Sequence, residues 1–475
     1  MALSLEWLGD IKRAAVIGAS AKTKYMFLEA LTTQFKGESV AIKPGTEEIE
    51  GFPGISVYPS VRDVPGALDF VFISVPRESV LQVIQDCVEK GVKLVSIFTA
   101  EFSDSNTEEG RELEQQIVDA ARGSTRILGP NCMGIYYPRI GLGWRIKFPL
   151  LDGKTTLICQ SGGISNLIIY GAGYAGLGIA KAFSFGNGAD LHFVELLDYA
   201  VHDPETSIIV SYVEGIRDAE IPRLREILAE NRKPFIAVKA GKSGAGSRAS
   251  VSHTGSLAGS FVMWQSLAKQ YGVIQGESFD DMLYLPLALD AFGAQEVQNI
   301  AVASMSGGYG VIMADLVESA GLSVPSYSPD LTAQLEEYIH IAGTRAKNPT
   351  DISSLIAYPD MCYHIFETIF AAPEVDAVIF DLAIWYLDPE YQYIKDEQSC
   401  EKMANAFALA HKYHKSFYLV IQNIGFIEIR EKMRGLLNER HVPIFNSVPE
   451  VVHTIVKINE WIRFQKKKWG DIPLE

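Results

Sequence analysis

Short apolar runs alternate with stretches of helical periodicity along the first third of the chain. Ala14-Ala15-Val16-Ile17 predicts a buried strand, and a glycine turn leads from it into an amphipathic stretch with Phe27, Leu28, Leu31 and Phe35. Val40-Ala41-Ile42, Phe70 to Val75, Lys93 to Phe98 and Arg126-Ile127-Leu128 predict further strands. Between two of them, Val80, Val83, Ile84, Cys87 and Val88 recur at helical spacing. Continuous apolar strands separated by helices of roughly a dozen residues imply right-handed crossovers and a doubly wound parallel sheet. Such sheets bind their ligands at the carboxyl ends of the strands.

A second set begins at Thr155-Thr156-Leu157-Ile158-Cys159 and continues with strands at Ser207 to Tyr212 and Phe235 to Lys239. A third begins at Ile300-Ala301-Val302-Ala303, with strands at Ala377 to Leu382 and Phe417 to Ile421. These two sets echo each other. Each opens with a strand, then Ser-Gly-Gly (Ser161-Gly162-Gly163 and Ser306-Gly307-Gly308) and an apolar helix. Each closes on a similar strand-to-helix unit, Tyr271-Gly272-Val273-Ile274 to Leu283 and His441-Val442-Pro443-Ile444 to Val452. The expected architecture is α/β: a Rossmann-like domain over 1–146, then two related flavodoxin-like, doubly wound domains over 147–296 and 297–475. At ~150 residues per domain, the length of 475 agrees.

Composition narrows the function. Lys+Arg 42 against Asp+Glu 58 gives a formal net charge of −16. That charge repels a nucleic-acid backbone, so no nucleic-acid partner is expected. The dense basic cluster Lys466-Lys467-Lys468 reads as a solvated helix end. No run approaches the ~18–20 apolar residues of a membrane span, and Met1 to Asp10 carry no basic stretch followed by an apolar one, so secretion is not expected. Five scattered cysteines form no CxxC pair, which points to reduced thiols in a cytoplasmic protein and to no metal site.

Val16-Ile17-Gly18-Ala19-Ser20 sits where a Rossmann domain cradles phosphates with backbone N–H groups and a helix N-terminus. The remaining glycines of GxGxxG are absent. A domain built for NAD places an acid at the end of its second strand, whereas this chain has Ile42-Lys43-Pro44. A cation there suits CoA or NADP; an ordinary tight turn with a surface lysine is the plain alternative. Ser74-Val75-Pro76 and Gly129-Pro130-Asn131-Cys132-Met133-Gly134 end two further strands and present backbone groups at the same crevice.

The segment from Gly241 to Gly259 is rich in Gly, Ser and Ala and predicts a mobile loop. Gly241-Lys242-Ser243 lacks the earlier P-loop glycine, since Ile236 stands there, and Cys159-Gln160-Ser161-Gly162-Gly163 fails the GxSxG elbow at its first position. What remains is His253 in a phosphate-friendly loop, and neutral imidazole is a good nucleophile toward phosphorus. Glu214, at the carboxyl end of a strand in the same domain, is the candidate to orient it. The two Ser-Gly-Gly turns each open a helix and are candidate phosphate sites.

Taken together, Ser252-His253-Thr254-Gly255-Ser256-Leu257-Ala258-Gly259, Gly129-Pro130-Asn131-Cys132-Met133-Gly134, Tyr212-Val213-Glu214-Gly215, Gln160-Ser161-Gly162-Gly163 and Asn348-Pro349-Thr350-Asp351 resemble the alpha subunit of ADP-forming (NDP-forming) acyl-CoA synthetases, in the succinyl-CoA synthetase superfamily. The resemblance runs along essentially the whole chain. It implies a reaction through acyl phosphate and a phosphohistidine, interconverting acyl-CoA, ADP and phosphate with carboxylic acid, CoA and ATP. It implies His253 and Glu214 as the catalytic pair, and CoA binding at Gly18, Ala19, Ser20, Lys43, Ser74, Val75, Pro76 and Asn131. It places phosphate at Ser161, Gly162, Gly163, Gly307 and Gly308. ADP/ATP and Mg²⁺ belong to an ATP-grasp beta subunit, which implies a hetero-oligomer such as α2β2. One departure stands out: where the family has Pro or Gly after its first turn, this chain has Ala21-Lys22-Thr23-Lys24-Tyr25-Met26-Phe27, and Lys22 and Lys24 are candidates to meet phosphates. Ile164, Phe183 and Phe185 are candidates to shape an acyl pocket. The alternatives are a non-catalytic CoA-binding or regulatory module and, on Gly18 and Lys43 alone, an NADP-dependent oxidoreductase.

Overall fold

The structure, a computed structural model, describes residues 5–254, 261–353, 355, 358–388, 390 and 398–470, with the side chains of 22 and 250–254 outside the description. The chain divides into two compact units, Met1–Leu283 and Tyr284–Glu475.

The first unit holds two sheets. In the first, β1 (Arg13–Ile17), β2 (Glu38–Ile42), β3 (Ser56–Tyr58), β4 (Phe70–Ile73), β5 (Leu94–Ile97) and β6 (Arg126–Leu128) lie in the order β3-β2-β1-β4-β5-β6, all parallel. This is the Rossmann order, whose crevice opens where the order reverses, between β1 and β4. Strands buried on both faces explain the unbroken apolar runs: Ala15, Ile17, Val40, Val71 and Val95 form one core with Ile84, Cys87 and Ile117 of the flanking helices.

The second sheet comprises β7 (Gly134–Tyr136), β8 (Asp152–Cys159), β9 (Ile179–Ser184), β10 (Ile208–Val213), β11 (Phe235–Lys239) and β12 (Ile274–Gln275), ordered β12-β11-β10-β8-β9-β7. Without β7 its parallel strands run 2-1-3-4-5, the flavodoxin order. β7 pairs antiparallel with β9, so residues ahead of 147 complete the second sheet.

In the second unit β13 (Ile300–Ser304), β14 (Thr350–Asp351), β15 (Ala377–Asp381), β16 (Ser416–Val420) and β17 (Ile444–Phe445) run β14-β13-β15-β16-β17. This is again 2-1-3-4-5 and bears out the echo between the two later sets. Its core centres on Phe366, Phe380, Phe407 and Phe417, whose rings meet edge-on or tilted.

One expectation needs correction. Residues Gly244–Thr254 form a helix rather than an irregular loop. Ser243 caps it: its Oγ accepts from the Gly246 N–H at 3.1 Å, and its carbonyl accepts from the Ser247 N–H at 2.8 Å. Alanine and serine tolerate the helix once the cap nucleates it. The helix lies beside the turn Ser103–Ser105 of the first sheet's carboxyl edge.

Candidate active site

The turn after β1 is shaped by a close approach. Gly18 has φ +84°, and a Cβ there would stand 2.1 Å from the Ser74 carbonyl oxygen. Only glycine lets the β1 and β4 loops meet at this reversal point. The Ser74 N–H donates to the Ile17 carbonyl at 2.9 Å, locking Gly18 and Ser74-Val75-Pro76 into one wall. Pro76 directly precedes the helix Arg77–Lys90. Lys43 directly follows β2, half-buried, its N–H bonded to the Tyr58 carbonyl. The Ser20 carbonyl accepts from the Thr23 and Tyr25 N–H groups and closes the turn Ala21–Thr23. Lys24 and Tyr25 then take φ of +50° and +53°. The Lys22 side chain lies outside the described residues.

Asn131 follows β6 with φ +55°, its N–H bonded to the Thr99 carbonyl at 3.0 Å. Its side chain reaches Asn187 Oδ1 at 3.5 Å. Asn187, which sequence reasoning missed, follows β9, and its amide lies within 3.1 Å of Ser103 Oγ, 2.8 Å of Asp104 Oδ1 and 2.9 Å of Glu114 Oε2. It joins the carboxyl edges of the first two sheets.

In the second sheet the order reverses between β8 and β10, and both strand ends carry site residues. After β8, Ser161 caps the helix Gly162–Ala175, its Oγ accepting from the Ile164 N–H at 3.3 Å. Gly162 packs on Met133, where a Cβ would approach Cγ to 2.7 Å, while Gly163 is open. After β10 comes Glu214, only 4% exposed. Gln160 Oε1 accepts from the Glu214 and Gly215 N–H groups at 2.9 and 3.3 Å. Lys239, ending β11, donates to the Glu214 carbonyl at 2.7 Å and to that of Ala240 at 2.8 Å. Burial pushes the Tyr212 hydroxyl up, and the neighbouring Glu214 charge adds to it. Burial lowers the Lys239 ammonium, against the pull of Glu214. His253 is on the last turn of the Gly244–Thr254 helix, but its side chain lies outside the described residues.

In the second unit Ser306 caps the helix Gly307–Ser319. A Cβ on Gly307 would lie 2.7 Å from Asp351 Oδ2, whereas nothing lies within 4 Å of one on Gly308. A carboxylate therefore already faces the Gly307 end of that helix. Asn348 is pinned to the frame: its Oδ1 accepts from the Val302 N–H and its amide donates to the Ile300 and Pro325 carbonyls. Asp381, 6% exposed, accepts from Gln422, and burial raises its carboxyl.

Other candidates lie elsewhere. Phe183 and Phe185 are buried in the core, and Ile164 is half-buried on the first turn of its helix. The five cysteines are buried and free, and burial pushes the Cys132 and Cys159 thiols up to about 12, leaving no thiolate near neutral pH. Among the described residues, Asp198, His202 and Glu230 approach closely enough to share a metal ion. They sit toward the amino end of β10, opposite Glu214. A cavity of about 620 Å³ opens on that same side, lined by Tyr137, Lys181, Asp203, Glu205 and Arg223 among others.

Comparison with known proteins gives this geometry a family. Residues 12–138 match the CoA binding domain, and residues 152–289 match the succinyl-CoA ligase like flavodoxin domain. The first two sheets thus fall in the class of CoA-handling ligase domains. The alpha subunit of acetate–CoA ligase [ADP-forming] II from Pyrococcus furiosus is 33% identical over 94% of this chain and 95% of its own. The alpha subunit of the corresponding ligase I from the same organism is 30% identical over 98% and 99%. The chain belongs to the family of ADP-forming acetate–CoA ligase alpha subunits. A solved structure, dinucleotide-forming acetyl-coenzyme A synthetase 1 of Ca. Korarchaeum cryptofilum in complex with phosphate and ADP, superposes with TM-score 0.82 at 28% identity, covering 98% of each chain. No helix among the described residues is long and apolar enough to cross a membrane.

Proposed function

We propose that this chain is the alpha subunit of an ADP-forming acyl-CoA synthetase that works through a phosphohistidine on His253, with Glu214 as its orienting carboxylate. The observation that carries the reading is the cluster at the reversal point of the second sheet. There a buried carboxylate, Glu214, stands across from a capped helix N-terminus at Ser161-Gly162-Gly163.

Three displacements follow. A phosphate oxygen attacks the thioester carbonyl, the C–S bond breaks, and CoA leaves as acyl phosphate forms. An imidazole nitrogen of His253 then attacks phosphorus; the N–P bond forms, the acyl O–P bond breaks, and the carboxylate leaves. Positive charge develops on the ring, and Glu214, accepting from its other N–H, offsets it. Finally an oxygen of ADP takes the phosphoryl group, the N–P bond breaks, and ATP forms. All three run in reverse for acyl-CoA synthesis.

CoA lies along Gly18, Ala19, Ser20, Lys43, Ser74, Val75, Pro76 and Asn131 in this reading. The close approach at Gly18 suits a ligand that needs the backbone, and Lys43 supplies a cation for its phosphates. Phosphate sits on Ser161, Gly162 and Gly163, and at the second helix on Gly307 and Gly308, where Gly308 is the open member. ADP and Mg²⁺ are held by an ATP-grasp beta subunit in an α2β2-type assembly, in the cytoplasm. The domain division near 147 and 297 belongs to the same reading.

Acyl phosphate alone, or acyl-CoA, ADP and phosphate with the partner subunit, should place acid-labile, base-stable radiolabelled phosphate on the chain. His253→Asn should not label, and labelling equal to wild type sinks the mechanism. Glu214→Gln should slow labelling by at least ~10²-fold. A chain that binds CoA by calorimetry but never labels is the regulatory module instead.

A further inference from the structure

Lys239 ends β11 at 6% exposure, and its Nζ reaches two carbonyls, Glu214 at 2.7 Å and Ala240 at 2.8 Å. The strands place it there: Val213 of β10 pairs with Lys239 of β11, so the lysine stands beside the residue that precedes Glu214. The two carbonyls belong to different segments. One carries the orienting carboxylate, and the other begins the stretch that becomes the Gly244–Thr254 helix with His253. Two carbonyls can be satisfied by a neutral amide, and burying an ammonium for that purpose alone is unfavourable. What the ammonium adds is positive potential next to Glu214. Gln160 grips the same residue from the other side through the Glu214 and Gly215 N–H groups.

We propose that Lys239 is a positioning residue for histidine phosphorylation: its paired hydrogen bonds hold Glu214 and the root of the His253 segment in one register, and its cation sets positive charge beside Glu214. This rests on the phosphohistidine reading. Burial lowers the ammonium while Glu214 holds it up, and the nearby Tyr212 hydroxyl and Cys159 thiol are both pushed toward their neutral forms. The lysine thus attracts the Glu214 charge among groups kept neutral, while its hydrogen bonds go to backbone carbonyls. The two bonds on backbone carbonyls fix geometry as well as charge, so the variant effects divide between them.

The test is a double-mutant cycle on the full chain, reading single-turnover labelling from acyl phosphate together with CoA affinity by calorimetry. Lys239→Met should slow labelling by ~10–100-fold, the usual cost of losing a group that orients a reacting one, with CoA affinity unchanged. Lys239→Arg, which keeps the charge and several donors, should label faster than Lys239→Met. In the Glu214→Gln background Lys239→Met should cost less than it does alone, because the charge part of its effect acts through the carboxylate already removed while the backbone register does not. Labelling of Lys239→Met at the wild-type rate, or full additivity with Glu214→Gln, overturns the proposal while leaving the phosphohistidine intact. A wild-type chain that never labels overturns both. Where Lys239→Met does not fold, Lys239→Gln, which keeps donors for the carbonyls without the charge, should label more slowly than wild type but faster than Glu214→Gln, and labelling at the wild-type rate overturns the proposal.

Discussion

Lys181 stands in the middle of β9 at 2% exposure, its Nζ 2.8 Å from Asp203 Oδ2 and bonded also to Glu205, with the Tyr137 ring 4.8 Å away. Such a cation is tolerable only because it is paired on several sides. Burial alone raises the Glu205 carboxyl, but hydrogen bonds from Lys181 and Tyr137 and the charges of Lys181 and Arg139 win and hold it below its ordinary value of 4.5. Its contribution is therefore present above that value and lost as pH falls through the lower folded-state value. Glu205→Gln should cost about 1–3 kcal/mol at neutral pH, and thermal melts should show the gap to wild type closing under acid. A gap that is constant with pH contradicts the ionic account. The same lysine hid β9 from the apolar pattern, because a charge in mid-strand breaks the run that marks a buried strand. Glu214 was legible because it directly follows an apolar strand. Gln160 and Lys239 were not: their importance lies in which backbone groups they reach, and no spacing encodes that.

Elements were legible wherever apolar residues mark them, as in β1, β4, β8 and β13 and even the two-residue β12 and β17, and obscure where short strands are polar. β14, two residues long, carries too little pattern to see. The Gly244–Thr254 helix failed for another reason: its small polar residues resemble a linker, and the deciding signal was the single cap at Ser243. The turns at the helix starts divide sharply by their surroundings. Gly18→Ala must force both an unfavourable φ and a contact of 2.1 Å with Ser74, so it should lose CoA binding by calorimetry and lower Tm. Gly308→Ala meets nothing within 4 Å, so its stability should hold or rise by up to ~1 kcal/mol. Its phosphate-dependent labelling should nevertheless fall, because the new methyl intrudes where an anion must approach the N–H groups. Full activity in Gly308→Ala removes that turn from the phosphate site.

At the scale of the molecule, the echo read from two Ser-Gly-Gly turns corresponds to two sheets of identical 2-1-3-4-5 order, yet their chemistry has diverged. The Gly162 turn has Ser184 Oγ 3.8 Å from its Cβ position, whereas the Gly307 turn has the Asp351 carboxylate at 2.7 Å. The two turns thus differ in what crowds them, the Met133 side chain and a hydroxyl at Gly162 against a carboxylate at Gly307. The pairing of β7 with β9 has a different consequence, one for dissection of the chain. Residues Gly134–Tyr136 lie inside the stretch matched by the CoA binding domain, yet they close the edge of the neighbouring sheet at Ala182–Ser184. A fragment that begins at 139 should expose a row of unsatisfied backbone donors and acceptors and self-associate, visible as growth in light scattering. One that begins at 130 keeps the strand and should stay dispersed. What looks like a separable module is sewn to its neighbour by three residues, and the seam, rather than the linker, decides where the protein can be cut.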